Sequence, residues 1–122
     1  MKARFLFLGS IFVLFSCASV PVEINSLGHL SRIEISPTVY SIWFYSDSPE
    51  KCYDLAMYWA ADVGIVKQYL SFTVESKDIL IYPTFTSQYA AHLLVRMQME
   101  NTSSSYNCEV IATRICYKYN FK

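Results

Sequence analysis

The four cysteines and two histidines are the residues of this chain best equipped for chemistry: Cys17, Cys52, Cys108 and Cys116, with His29 and His92. Thiols and imidazoles can bind zinc, but no C-x-x-C or H-x-x-x-H spacing occurs and the histidines are far apart in sequence, so no metal site is expected. A nucleophilic Cys116 would need an imidazole beside it and an electropositive setting. His92, near Arg96, is the one candidate for that imidazole, and nothing in the spacing requires the two to meet. Asp54 and Asp62 fall on one predicted helix, about 12 Å apart by rise, too far to share a proton; they read as solvated charges. There is no G-x-S-x-G elbow, glycine-rich phosphate loop or Ser-x-x-Lys motif. The sequence therefore predicts a protein that is not an enzyme and carries no cofactor.

Cys17 has a different context. Lys2 and Arg4 give a basic start, Phe5 to Phe15 is an almost unbroken apolar run, and small residues follow. That is the pattern of a secretory signal, and the run is shorter than the roughly 20 residues a membrane span needs. Leu14-Phe15-Ser16-Cys17 resembles the lipobox of bacterial lipoproteins at Leu14, Ser16 and Cys17; Phe15 departs from it, since that position is normally small or β-branched. The resemblance covers the signal segment alone and identifies no family for the rest of the chain. It implies cleavage before Cys17 and acyl chains on that residue, each buried CH₂ adding about 0.8 kcal/mol of membrane affinity. By analogy with enterobacterial sorting, Ala18 after the cysteine implies the outer membrane. The alternative is cleavage a few residues later, after Ala18 or Ser19, and a freely secreted effector.

Either processing removes Lys2 and Arg4, so eight basic side chains face ten acidic ones, a net charge of −2. The basic residues are scattered singly, which leaves nucleic acid without an electrostatic footprint. Cys17 is lost or acylated, leaving an odd number of thiols where disulfides are permitted. A straight strand over residues 108–119 would hold Cys108 and Cys116 about 26 Å apart, beyond disulfide reach. A bridge would then join Cys52 to Cys108 or Cys116; otherwise all three are buried thiols acting as small hydrophobes.

The elements that must position these residues follow from periodicity. Residues 1–16 read as the signal, 17–31 as lipid anchor and tether, and 32–122 as one domain. Residues 32–36 alternate weakly before Pro37, and Val39 to Tyr45 reads as a central strand covered on both faces. Ser48-Pro49-Glu50 opens a helix, and Cys52, Leu55, Ala56, Trp59, Ala60, Val63, Val66 and Leu70 form its stripe. Phe72–Glu75 and Ile79–Phe85 read as a hairpin turning at Ser76-Lys77-Asp78, with Pro83 forcing an edge or bulge. Residues 87–100 fit a strand and, less well, a helix. A loop at Asn101–Ser105 precedes a last strand with Ile111, Thr113, Ile115, Tyr117 and Tyr119 on one side. Asn101-Thr102-Ser103 in that loop is a glycosylation sequon, which would matter only in a eukaryotic or viral host.

This reading predicts an α+β domain whose antiparallel sheet packs on one long helix, in the cystatin-like order β-α-β-β-β-β. The helical alternative for 87–100 would give the ferredoxin-like order β-α-β-β-α-β. The cystatin resemblance is topological only; the inhibitory hairpin of that family has no counterpart here. One helix cannot cover both faces of such a sheet. The ten Tyr, eight Phe and two Trp of the chain then suggest an uncovered apolar face, with Leu80, Tyr82, Leu94, Val110 and Ala112 as interface candidates. The expected partners are a membrane, through the N-terminal lipid, and another protein or a second copy, through that face.

Overall fold

The computed structural model describes residues 27–84 and 87–120. The signal, Cys17 and most of the tether lie outside the described residues. In chain order the elements are β1 (His29–Ser36), β2 (Val39–Ser46), α1 (Pro49–Val66), β3 (Ser71–Ile81), β4 (Tyr89–Gln98), β5 (Tyr106–Asn107) and α2 (Cys108–Tyr119). The strands form one open antiparallel sheet in the order β1-β2-β4-β3-β5. The protein is α+β, with chain order β-β-α-β-β-β-α. That is neither the cystatin-like nor the ferredoxin-like order.

β2 alternates strictly: Tyr40, Ile42, Phe44 and Ser46 are buried, while Val39, Ser41, Trp43 and Tyr45 are half-buried. It is an interior strand, between β1 and β4, but the helices cover only one of its faces. Each bulky residue on the other side lies along the strand pleat with solvent beyond it. β4 takes the strand form of residues 87–100, with Ala91, Leu93, Val95 and Met97 pointing into the core.

α1 begins as its sequence predicts. Ser48 is extended, its hydroxyl accepts from the Lys51 N–H at 3.1 Å, and Pro49 occupies the first turn. Cys52, Leu55, Ala56, Ala60 and Val63 form its buried stripe. Val66 and Leu70, expected to continue that stripe, are exposed because the helix ends at Val66 and Gln68 turns left-handed at φ 68°. Gly64, a weak helix former, has a packing reason: a Cβ there would run into Cys108 Sγ. The two helices cross closely at that point.

Two segments correct the sequence reading. Residues 71–81 are one strand rather than a hairpin: Ser76, Lys77 and Asp78, expected to turn, pair with Leu94, Leu93 and His92, and a bulge between Val74 and Ser76 absorbs one residue just before them. Pro83 follows the strand's end. The last segment is a helix, not a strand. The Asn107 carboxamide oxygen caps it, accepting from the Val110 N–H at 3.0 Å, and Asn120 closes it in the left-handed conformation at φ 56°. Cys108, Ile111, Ala112, Ile115 and Cys116 are its buried stripe, and it joins α1 and the sheet in one core.

Candidate functional site

With both helices on one face, strand pleating assigns the other face. It carries Ser31 and Ile33 from β1, Ser41, Trp43 and Tyr45 from β2, His92, Leu94 and Arg96 from β4, and Asp78 and Leu80 from β3. In the middle Trp43 stands directly opposite His92, their ring centroids 4.4 Å apart and planes inclined by 21°. His92 Nε2 is hydrogen-bonded to Ser41 Oγ at 2.8 Å. The rings continue along the sheet, Trp43 to Tyr45 at 6.1 Å, Tyr45 to Tyr82 at 5.6 Å and Tyr45 to His29 at 6.1 Å. They end at a shallow groove of about 410 Å³ lined by His29, Ser31, Tyr45, Tyr82, Thr84 and Ser87. At the opposite end Arg96 makes a forked pair with Glu75, at 2.6 and 3.4 Å, which holds the Glu75 carboxyl below its ordinary range.

The face can offer polarisable ring surfaces, hydroxyls and one imidazole pinned between a ring and a hydroxyl. Burial pushes the Tyr45 phenol up, with Tyr82 adding to it, so Tyr45 stays neutral. Asp78 is His92's cross-strand neighbour in the register, which places Ser41, His92 and Asp78 on three successive strands. The Ser41–His92 hydrogen bond orients the ring that Trp43 stacks upon.

Of the sequence-predicted interface residues, Leu80, Tyr82 and Leu94 come together here, Leu80 and Tyr82 being exposed and Leu94 half-buried. Val110 and Ala112 do not. Both lie on α2, where Ala112 is packed into the core and Val110 is exposed away from the sheet. Trp43 and Tyr45 were missed as surface residues because their strand was expected to be covered on both sides. The usable signal was the alternation of Ser41, Trp43 and Tyr45 against Ile42 and Phe44.

The cysteines separate into two kinds. Cys52 and Cys108 are buried free thiols, so neither proposed bridge of Cys52 is formed. Helical geometry, rather than a strand, decides where Cys108 and Cys116 fall. Burial pushes the Cys52 thiol up, and burial plus the neighbouring Glu109 pushes Cys108 up to about 11; neither is a thiolate at neutral pH. Cys116 is disulfide-bonded. Asp54, expected to be solvated, instead accepts from Lys118 Nζ and from the Tyr119 hydroxyl, both at 2.7 Å, while Lys118 also reaches Glu50 at 2.6 Å. Burial and then the bond to Asp54 push the Tyr119 phenol up. Asp62 faces Arg32 at 3.8 Å, and burial raises its carboxyl more than Arg32 lowers it. Among the described residues no group of His, Cys, Asp and Glu could hold a metal ion, and no helix is long and apolar enough to cross a membrane.

No protein-family model matches the chain, and comparison with curated proteins and with solved structures finds no match either.

Proposed function

We propose that the chain is an exported, non-catalytic binding domain of the cell envelope, held by a lipid on Cys17 and engaging another protein through its open sheet face. The observation that carries the binding half is the open face itself, where among the described residues Trp43, Tyr45, Leu80, Tyr82 and Leu94 have no helix above them. Apolar and tyrosine-rich surface of this kind is characteristic of protein interfaces. The anchoring half is supported by the basic start, the apolar run and the lipobox-like Leu14-Phe15-Ser16-Cys17. Its location would be the outer membrane, on the periplasmic or surface side.

Intact mass of the mature protein extracted from its native membrane tests the anchor. A diacyl or triacyl mass on a chain beginning at Cys17 supports it, and Cys17→Ala then releases the protein or blocks its processing. A photo-crosslinker at Tyr45 that captures a partner, while one at Val110 does not, supports the face. Equal capture from both positions overturns that part.

The same mass measurement tests the alternative, a freely secreted protein cleaved after Ala18 or Ser19: an unmodified chain starting beyond Cys17 would establish it.

A further inference from the structure

We propose that two copies of this chain associate edge to edge through β3, pairing Ser76–Tyr82 antiparallel about Ile79 so that the two sheets become one. The proposal goes beyond the reading above, because it uses the backbone rim of the sheet, where the open face contributes only its border residues Leu80 and Tyr82.

β3 is nearly an edge strand: among the described residues β5 pairs only with Ser71 and Phe72, leaving the remainder of its outer side open. The direction of its backbone groups follows from the ladder. Tyr82 N–H donates to the Gln88 carbonyl at 2.8 Å, so Tyr82 turns its polar groups toward β4. By the two-residue period Leu80, Asp78 and Ser76 do the same. The far side of β4 agrees: Met97 N–H donates to the Thr38 carbonyl at 2.7 Å, which commits Met97, Val95, Leu93 and Ala91 to β2 and leaves Leu94, His92 and Ala90 for β3. Lys77, Ile79 and Ile81 therefore direct their N–H and C=O groups outward.

The side chains along this rim are apolar on both faces. Ile79 and Leu80 are 41 % exposed, Ile81 79 % and Tyr82 49 %. Lys77 Nζ lies 4.8 Å from the ring of Tyr53, near the start of α1; past that point no helix shelters Ile79 and Ile81. Open strand edges are usually defended by charges, bulges or proline. Here the defences are the bulge with Glu75 on one side and Pro83 on the other, and they lie equally far from Ile79.

That symmetry selects a second copy as the occupant. A two-fold axis through Ile79 sets Ile79 against itself, Lys77 against Ile81 and Asp78 against Leu80, with no like charges opposed. Every outward N–H and C=O of Lys77, Ile79 and Ile81 then finds a partner. Each copy's bulge falls opposite the other's Pro83, where pairing stops. An unrelated strand would match the free length but not this placement of both stops. Both open faces end on the same side of the joined sheet.

The test is sedimentation of the purified mature protein up to about 200 μM, since one short edge buries less than the ~1,200 Å² of a stable interface. A concentration-dependent dimer is expected. Ile79→Pro removes an N–H that faces away from β4, a position where an edge strand tolerates proline, and Ile81→Lys adds an edge charge. Each should weaken dimerisation by at least about tenfold, roughly 1.4 kcal/mol, with circular dichroism unchanged. Trp43→Ala, on the open face, should leave the dimer intact. A wild-type monomer throughout this range overturns the proposal, as does a dimer that survives Ile81→Lys or is lost in Trp43→Ala. A monomer that still crosslinks a partner at Tyr45 overturns the edge pairing and leaves the open-face reading standing.

Discussion

β2 has two faces built from nearly the same kinds of residue, and they have different fates. Ile42 and Phe44 are sealed beneath α1, at 0 and 1 % exposure, whereas Trp43 and Tyr45, one position along, lie half-buried on the side without helices. Hydrophobicity does not separate the two sets. Pleating puts them on opposite sides, and the helices, both on one side, decide which set is core. The covered face stores stability; the open face leaves its apolar side chains half-buried.

The sharpest break of this comparison is a pair of truncations. Phe44→Ala should cost about 3–5 kcal/mol, as expected for an aromatic removed from a filled core. Trp43→Ala should cost on the order of 1 kcal/mol, typical of a partly exposed site. Thermal melts of the two variants check this, and equal losses would mean that something covers the open face in solution.

Next in size is the helix crossing on the covered side. Gly64→Ala gains about 1 kcal/mol of helix propensity, but its methyl collides with Cys108 Sγ, and overpacking costs about 1–3 kcal/mol. A net loss is expected, and Cys108→Ala in the same chain should recover most of it in urea titrations. A simple gain from Gly64→Ala would show that the helices are free to move apart.

The α1–α2 clamp should give a smaller effect that appears only in alkali. Tyr119 and Lys118 both hold their protons to higher pH than their ordinary values of 10.0 and 10.5. The folded chain thus binds more protons than the unfolded one in that window. Their contribution is fully present below pH of about 10 and is lost as pH rises through the folded values. Asp54→Asn should lower stability slightly at neutral pH and flatten this alkaline decline. A decline as steep in the variant as in the wild type would assign it elsewhere.

The smallest effect belongs to the open face. The Arg96–Glu75 pair is exposed, so Arg96→Ala should change the melting temperature little. Added salt should shrink the difference further. A large change in melting temperature would mean that the pair fastens the bulge.

Local signals reached some of these elements and missed others. Ser48-Pro49-Glu50 supplied α1 with a cap, a first-turn proline and an acidic start, and the alternation of Val95–Glu100 pointed to the strand form of β4. At residues 108–119 the sequence supports both readings. Ile111, Thr113 and Ile115 fit a strand face, while Ile111, Ala112 and Ile115 fit a helical stripe. The Asn107 cap and the space left by Gly64 favour the helix, and only the second of these comes from a distant part of the chain. The bulge at Val74–Ser76 resembled a turn because polar residues gather at both. Of the candidate face, Leu80, Tyr82 and Leu94 were legible from alternation, whereas Val110 and Ala112 fell with the strand that carried them. By itself the sequence determined the start of α1, its apolar stripe as far as Val63, and that Val39–Tyr45 is a strand, because those depend on neighbours within a few residues. The tertiary structure alone decided which side of the sheet stays bare and where α2 lies, because burial depends on what arrives from elsewhere in the chain.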